Sequence, residues 1–592
     1  MKKLNTKAII AIAAAFALLL CAAPAAVNAI TANRQTASVA SGVSVESGAD
    51  EVTVVSVSVP ASGTVITFTD SGITAAGSGT GYEISGTELT ISEAGTYTVT
   101  GSCAEGSIKV KKDTEGTVEL ILEDLTLSSS TGAALSCNKN TDVVVYAVGT
   151  VTLTDAEDIA NEESDDFDGA AVKVKSGASL TITGNGTLNV DGSGCKNGVK
   201  GAAGSVITVE GALTLNIAAA NNGLACDNAV VIKSGVVNIN AGGDGIKAEP
   251  DGDDAESAGS VTISGGQVTV EAGDDAIQST GDTVISGGIL ALTSGDDAVH
   301  ADANVVIDGG VITIDAGDDA VHAEHDVTVN GGTIDVTACC EGFEGATVTL
   351  NDGSGSIVAS DDGINAATDA AVDTIGIYIN GGTWTVDADG DGLDAGGDST
   401  ANRGGDIEIN GGVTLVFGAA NSGNGGLDYD GSCVYTGGTL LVVDPGGMNM
   451  TPGSGTYVFF GSGAMGGMGG FGGMNGQTGG ATITRGSVIE VKDSEGNTLI
   501  TATGTKNANC VLLCDGSVAE GEAYTLYVDG EAAATATATS GGGAMGMMGG
   551  PGGMTGGFGG PMDGQGMNGS RQKPPQGGRM MDGGFDGGAG TP

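Results

Sequence analysis

The middle of the chain repeats one motif, which reads VTISGGQVTVEAGDDAIQS at 261–279, TVISGGILALTSGDDAVHA at 283–301, VVIDGGVITIDAGDDAVHA at 305–323 and VTVNGGTIDVTACCEGFEG at 327–345. The first glycines of the Gly-Gly pairs lie 22 residues apart, at Gly265, Gly287, Gly309 and Gly331. A constant period of this kind is typical of a solenoid, whose units bury their apolar faces only by stacking on one another. Apolar residues alternate with polar ones within each unit, and this period of two indicates β-strands.

Each unit contains three short β-branched runs: one before Gly-Gly, one after it and one after Gly-Asp-Asp. Stepping by 22 residues gives apolar columns, such as Ile263, Ile285, Ile307 and Val329. We therefore predict an all-β chain that forms a parallel β-helix, with about 22 residues and three strands per rung. A narrow core of aliphatic ladders agrees with a composition of only 1 Trp, 9 Tyr and 10 Phe in 592 residues.

Composition and repeat strength divide the chain into six segments. They are a signal peptide at 1–29, a linker at 30–60, an N-terminal β cap at 61–160, the parallel β-helix at 161–455, a small C-terminal β region at 456–540 interrupted by a Gly/Met-rich stretch at 461–480, and a disordered Gly/Met-rich tail at 541–592. The signal has lysines, an apolar run at 8–21 and a small-residue cleavage site ending at Ala29. We expect a secreted, extracellular protein. Cell-surface attachment through Cys21 is the alternative, although the bulky Leu20 precedes that cysteine.

The net charge restricts the partners. Asp and Glu number 73 against 21 Lys and Arg, which gives a formal charge of −52. Such a surface repels nucleic acid and anionic lipid, and no second apolar segment follows the signal, so we expect neither nucleic-acid binding nor membrane insertion. We expect a monomer. An acidic ligand would also be repelled unless a cation lies between the two surfaces.

Acidic residues recur in register at the Gly-Asp-Asp turns. Neighbouring strands lie about 4.8 Å apart, and carboxylates at that distance repel by about 0.8 kcal/mol in water and about 3 kcal/mol at an effective dielectric near 20. Basic residues are too rare in the repeats to compensate, so we expect Ca²⁺ bound by oxygens of adjacent turns. The candidate ligands are Asp244, Asp274, Asp275, Asp296, Asp297, Asp318, Asp319, Glu341, Asp361, Asp362 and Asp391. The alternative is that each copy is a turn, in which Asp bonds its own backbone.

Two other metal patterns are weaker. His300 and His322 share one column, which alternation turns outward, so we expect solvated side chains there. Zinc is not expected, because the chain has no CxxC pair and His325 is its only other histidine.

The repeated aspartate pairs do not have the pattern of a catalytic site. A glycosidase uses one carboxyl pair, whereas these pairs recur along an array. A β-eliminating lyase would add a cationic base to a calcium site, and the candidates are Lys196, Lys200, Lys233, Lys247 and Arg403. No feature distinguishes one of them. We therefore expect a protein that is not an enzyme, with a polysaccharide lyase or hydrolase as the alternative.

The chain resembles a family of secreted bacterial carbohydrate-binding parallel β-helix proteins, first described as a domain of unknown function. The matching segments are AGTYTVTGS at 94–102, VELILEDLTL at 118–127, TITGNGTLNVDG at 181–192, GDGIKAE at 243–249 and the GDDAI and GDDAV copies. The resemblance implies a right-handed β-helix similar to polysaccharide lyases, with bound calcium, that binds polygalacturonate and cellulose without cleaving them. One unit departs, since Cys339-Cys340-Glu341 replaces Gly-Asp-Asp and would interrupt a row of cations.

The net charge of the chain and the family resemblance both indicate that calcium takes part in binding. A chain this acidic binds a polyuronate only if calcium bridges the two sets of carboxylates. Neutral cellulose would instead need a flat aromatic platform, for which the candidates are Tyr378, Trp384, Tyr429 and Tyr435. A surface adhesin in which calcium merely stiffens the rod is the remaining alternative.

Overall fold

The computed structural model describes residues 57–164, 167–250, 259–368, 372–396, 404–419, 421, 423–446, 450–461 and 481–541. The predicted signal peptide, residues 30–56 of the linker, most of the 461–480 stretch and all but the first residue of the 541–592 tail lie outside these ranges, as does Arg403. Among the described residues, no helix has the length and hydropathy needed to span a bilayer.

Almost every element in the described part of the chain is a strand. In chain order they are β1 (Thr64–Thr69), β2 (Gly72–Gly77), β3 (Tyr82–Ser85), β4 (Glu88–Ile91), β5 (Gly95–Cys103), β6 (Ser107–Val110), β7 (Thr117–Ser129), β8 (Leu135–Cys137), β9 (Asp142–Val148), β10 (Thr150–Asp155), β11 (Ala170–Val174), β12 (Ser179–Gly184), β13 (Thr187–Gly192), β14 (Asn197–Gly201), β15 (Val206–Val209), β16 (Thr214–Ala219), β17 (Leu224–Cys226), β18 (Ala229–Ile232), β19 (Val236–Ala241), β20 (Ile246–Ala248), β21 (Ser260–Ile263), β22 (Gln267–Ala272), β23 (Ile277–Ser279) and β24 (Thr283–Ile285). The second half contains β25 (Ile289–Thr293), β26 (Val299–Ala301), β27 (Val305–Ile307), β28 (Val311–Asp315), β29 (Val321–Val329), β30 (Thr333–Cys339), β31 (Phe343–Leu350), β32 (Ser354–Ala359), β33 (Ile364–Ala366), β34 (Gly376–Ile379), β35 (Thr383–Ala388), β36 (Leu393–Ala395), β37 (Asp406–Ile409), β38 (Val413–Phe417), β39 (Leu427–Tyr429), β40 (Cys433–Tyr435), β41 (Thr439–Asp444), β42 (Thr456–Phe460), β43 (Val488–Lys492), β44 (Thr498–Thr503), β45 (Cys510–Asp515), β46 (Ala523–Val528), β47 (Glu531–Thr537) and β48 (Thr539–Ser540). One 3₁₀ turn occupies Ile159–Asn161.

The strands form three columns, because from β8 to β26 each strand pairs in parallel with the third strand after it. The first column runs through β8, β11, β14, β17, β20, β23 and β26, the second through β9, β12, β15, β18, β21, β24 and β27, and the third through β10, β13, β16, β19, β22, β25 and β28. Farther on, β29 and β31 are long enough to contribute to both the first and second columns. The predicted all-β class and long parallel sheet are confirmed, and the fold is β-helix-like.

The core lies between the columns. In the second column Ile263 pairs with Ile285, Ile285 with Ile307, and Ile307 with Val329. All four side chains are buried, as the alternating pattern predicts for the inward face of a strand. Each step in this series is one 22-residue repeat, so the apolar side chains stack in aliphatic ladders.

The two ends add antiparallel pairings. The strands of the predicted cap, before residue 161, include the hairpins β1–β2 and β3–β4, while β5, β7 and β9 pair in parallel and join the columns. At the other end β45 pairs antiparallel with β41. A separate antiparallel sheet follows, in the order β44-β43-β46-β47.

Candidate functional site

The Gly-Asp-Asp turns connect the third column to the first and lie directly above one another. The Gly295 N–H donates to the Asp274 carbonyl at 3.1 Å, and the Gly317 N–H donates to the Asp296 carbonyl at 3.1 Å. Glycine is required here because a Cβ on Gly295 would approach the Gly273 carbonyl oxygen to 2.3 Å. The closeness of the backbones places the acidic side chains of successive turns side by side.

Three of the second aspartates, Asp275, Asp297 and Asp362, are buried backbone acceptors. Oδ1 of Asp275 accepts the N–H of Asp297 at 3.0 Å, and Oδ1 of Asp297 accepts the N–H of Asp319 at 2.9 Å. Asp362 does the same for the N–H of Asp391 at 2.6 Å. These bonds run between repeats and not within one turn, as the turn alternative had it, and they give these second aspartates a structural role.

The first aspartate of each turn faces outward. Asp274 and Asp296 are exposed and Asp318 is half-buried. Burial, followed by the charges of Asp297, Asp318 and Asp274, raises the pKa of Asp296. Two sets of three carboxylates have oxygens within 4.8 Å of one another, namely Asp274 with Asp275 and Asp296, and Asp296 with Asp297 and Asp318. Oxygen-only groups of this kind suit Ca²⁺, which accepts carboxylates in loose geometry.

A further all-carboxylate group lies later in the chain. Asp362, Asp391 and Asp394 have oxygens within 4.8 Å of one another. Burial, reinforced by neighbouring carboxylates, raises the pKa of Asp362 to about 7 and that of Asp394 to about 8. Sequence reasoning did not select Asp394. The sequence signal for Asp394 was its position three residues after Asp391, because the same spacing separates His300 from Asp297.

The expectation that basic partners are lacking was wrong. Three aspartates pair with a basic side chain three residues later: Asp244 Oδ2 with Lys247 Nζ at 2.8 Å, Asp297 Oδ2 with His300 Nδ1 at 2.8 Å, and Asp319 Oδ2 with His322 Nδ1 at 3.3 Å. The predicted solvation of the histidines is also corrected, because only 20% of the His300 side chain and 13% of the His322 side chain are exposed. Their column turns away from the core, but the neighbouring turns cover it.

Two predicted ligands are occupied by protein contacts. Asp244 accepts the N–H of Asp275 with Oδ1 at 3.4 Å and pairs with Lys247 through Oδ2. Glu341 accepts a hydrogen bond from Nδ2 of Asn365 at 2.7 Å. Burial and the adjacent Glu341 raise the pKa of Glu344 to about 9. Asp361, the first acid of a later turn, is half-buried.

The predicted aromatic platform is not presented to solvent. Trp384 is 0% exposed and packs edge-to-face on Phe343, with ring centroids 5.9 Å apart. Tyr429 and Tyr435 are buried, and their hydroxyls donate to backbone carbonyls. Tyr378 is half-buried. The alternation in β35 points Trp384 inward, where Gly355 in the paired strand makes room for the ring.

Each lysine proposed as a base contacts a carboxylate. The pairs are Lys196 with Glu162, Lys200 with Asp227 at 2.9 Å, Lys233 with Glu210 at 2.9 Å, and Lys247 with Asp244 at 2.8 Å and with Glu249 at 2.7 Å. Burial disfavours the charged form of Lys247, but its two carboxylates outweigh burial and raise its pKa. A general base at neutral pH needs the opposite shift.

A polar cavity of about 480 Å³ lies near the start of the columns. Its lining includes Lys109, Lys175, Glu157, Asp168 and Phe167. Lys175 pairs with Asp168 at 3.3 Å. Two ammonium groups, two carboxylates and one aromatic ring therefore give the cavity a lining of mixed charge.

Comparison with known proteins gives a partial family match. Residues 85–342 match the model of a family described as carbohydrate-binding domain-containing protein. No curated protein matches the chain. A solved structure, the gadolinium derivative of a polysaccharide lyase-like protein from C. thermocellum, is similar with 25% identity and a TM-score of 0.36 over 45% of this chain and 97% of that one. The family match includes the turns from Asp274 to Asp319 and ends before Asp362.

Proposed function

We propose that this chain binds an acidic polysaccharide of the polygalacturonate type without cleaving it, through Ca²⁺ ions held at the Gly-Asp-Asp turns. In this account it is a secreted monomer, built as a right-handed parallel β-helix with about 22 residues per rung. The match of residues 85–342 to a carbohydrate-binding family supports the ligand class.

The main support for calcium-mediated binding is the row of outward-facing first aspartates. Asp274, Asp296 and Asp318 occupy successive repeats, with carboxylates of the second aspartates beside them. The donors are all oxygens, which fits calcium. Strands stack about 4.8 Å apart, so the row presents a line of sites to a linear polyanion. A polymer that engages several ions at once gains avidity without a deep pocket.

The positions of the carboxylates reduce the number of candidate calcium ligands. The calcium groups are Asp274, Asp275 and Asp296, then Asp296, Asp297 and Asp318, and a separate group of Asp362, Asp391 and Asp394. Asp244 and Glu341 are left out because, among the described residues, neither belongs to an all-carboxylate group of this kind. Cellulose is also left out, since it has no carboxylates and three of the four candidate rings are buried.

Binding without cleavage is supported by the lysine contacts. A β-elimination needs a base that is deprotonated beside the sugar. Lys196, Lys200, Lys233 and Lys247 are each engaged by at least one carboxylate. For Lys247 the two carboxylates outweigh burial and raise the pKa, which favours the protonated amine.

The test is binding of the purified protein to polygalacturonate, with calcium and then with excess chelator, while the supernatant is assayed for unsaturated or reducing products. Binding that disappears with chelator, without product, supports the proposal. Released product would favour a lyase or hydrolase. Absence of binding under both conditions, together with a large calcium-dependent rise in Tm, would favour the stiffened adhesin.

The lysine-containing cavity has its own control. Lys175→Ala removes one ammonium group from the cavity and leaves the Gly-Asp-Asp turns intact. We expect this variant to bind like the wild type. Chelator-resistant binding that Lys175→Ala abolishes would move the polysaccharide site to the cavity and overturn the role of calcium.

A further inference from the structure

Two histidines in adjacent repeats converge on shared carboxylates. His300 in β26 pairs in register with His322 in β29, and their ring centroids lie 4.9 Å apart. Oδ2 of Asp297 lies 2.8 Å from Nδ1 of His300 and 3.6 Å from Nδ1 of His322. Oδ2 of Asp319 lies 3.3 Å from Nδ1 of His322. Asp297, His300 and His322 therefore bring three donor atoms of two chemical kinds together, and Asp319 lies beside His322.

The spacing fits a small, tightly bound ion. Zn–N and Zn–O bonds are about 2.0–2.2 Å long, which puts two tetrahedral ligands about 3.3 Å apart. The contacts of Asp297 with His300 at 2.8 Å and with His322 at 3.6 Å fall on either side of that separation. The donor atoms of Asp297, His300 and His322 also lie within 4.8 Å of one another as a set.

The outer nitrogen of each ring also faces a carboxylate. Nε2 of His300 lies 3.3 Å from Oδ1 of Asp302, and Nε2 of His322 lies 3.8 Å from Oε1 of Glu344. Metal-binding histidines usually donate their second N–H to such a group, which fixes the tautomer and leaves the other nitrogen free to ligate. Here that other nitrogen is Nδ1, which donates to Asp297 in the metal-free protein and would release its proton on metal binding.

We propose that Asp297, His300 and His322 bind one divalent transition-metal ion of the Zn²⁺ class. The site shares Asp297 with one calcium group, but its imidazole donors distinguish it from that group, because nitrogen ligands favour zinc, cobalt and nickel whereas calcium prefers oxygen. The same column holds Gln278 in the repeat before and Glu344 in the repeat after, so the paired imidazoles occur at one place. The site does not depend on polysaccharide binding.

The test uses the full-length protein, freed of metal and kept in excess Ca²⁺. We expect Co²⁺ to bind with one equivalent and to give the visible d–d absorption of a tetrahedral nitrogen and oxygen site, and Zn²⁺ to displace it. His300→Gln should weaken binding by more than the roughly 10–100-fold that loss of an outer partner costs. Gln already occupies this column at Gln278, so the variant is compatible with the fold.

The matched control is His325→Gln, since His325 is exposed and is the chain's third histidine. It should bind Co²⁺ like the wild type, whereas Asp302→Asn should lose roughly 10-fold. Equal affinity in His300→Gln and the wild type would overturn the proposal. So would a near-ultraviolet thiolate-to-cobalt band, which would put the ion on cysteine.

Discussion

Asp297 makes two different contacts with its two oxygens. Oδ1 accepts the N–H of Asp319, and Oδ2 accepts from His300. Burial alone would raise the pKa of this carboxyl, but the hydrogen bonds from His300 and His322 outweigh burial and hold the pKa well below its usual range. Asp297 therefore stays ionised, and it joins two repeats through the backbone and the histidine column together.

Removing this carboxylate should destabilise the protein. Asp297→Ala leaves an N–H of Asp319 and a buried cationic histidine without their acceptor. We expect a loss of about 3 kcal/mol in the free energy of unfolding, measured by urea denaturation in chelator, because breaking a buried pair leaves an uncompensated charge.

The neighbouring Asp296→Ala is the control for that measurement. Asp296 is exposed, and we expect its replacement to change the free energy of unfolding by no more than about 0.5 kcal/mol. Equal losses in the two variants would show that the two aspartates of the turn do not have the different roles assigned here.

The sequence identified the acidic positions of each turn, but it did not show that the two aspartates of a turn have different roles. Asp296 and Asp297 look equivalent in the motif, and only the path of the turn backbone makes one an outward carboxylate and the other an acceptor between repeats. The pairing of His300 with Asp297 was missed for the same reason. Strand alternation gives the direction of a side chain, but the preceding turn decides what covers it.

The turns themselves depend on close backbone contact. Gly295→Ala would place a Cβ 2.3 Å from the carbonyl oxygen of Gly273, which is backbone and cannot rotate away. We expect a loss of about 1–3 kcal/mol, the usual range for overpacking, measured by urea denaturation. Gly516→Ala is the control, since a Cβ there meets nothing within 4 Å, and a comparable loss in that variant would contradict the steric reason.

The sequence predicted elements best where the repeat is strict. Between residues 261 and 345 the runs before and after Gly-Gly became strands of two columns. Residues 61–160 lack that period and were expected to form a cap, yet β5, β7 and β9 join the columns. Parallel pairing depends on the alignment of strands and not on the length of the loops between them, so periodicity alone could not reveal it.

Over the whole molecule, buried acids should make the calcium-free protein less stable at higher pH. Asp275 and Asp362 have pKa values of about 7 and Asp394 of about 8, mainly through burial, against about 3.9 in an unfolded chain. The folded state therefore holds more protons than the unfolded state between these values, and stability falls as pH rises through them. The pKa values of His300 and His322, which are raised to about 10 and about 11 because their carboxylate partners outweigh burial, act in the same direction.

We accordingly expect Tm in chelator to be several degrees lower at pH 8 than at pH 5. Saturating calcium should remove most of that difference, because a cation replaces the protons between the carboxylates. Scanning calorimetry at both pH values, with and without calcium, makes the comparison. A Tm in chelator that rises from pH 5 to pH 8 would contradict the buried, mutually repelling carboxylates.

The central claim is that calcium on the first aspartates bridges the protein to an acidic polysaccharide. The most direct measurement compares polygalacturonate binding, in calcium, by Asp274→Asn/Asp296→Asn/Asp318→Asn and by a control carrying Asp282→Asn/Asp308→Asn/Asp326→Asn. Both variants lose the same charge from the same stretch of repeats, and asparagine retains a carbonyl acceptor at each position. We expect the first variant to lose calcium-dependent binding and the control to keep it. Undiminished binding by the first variant, or equal loss in both, would contradict it.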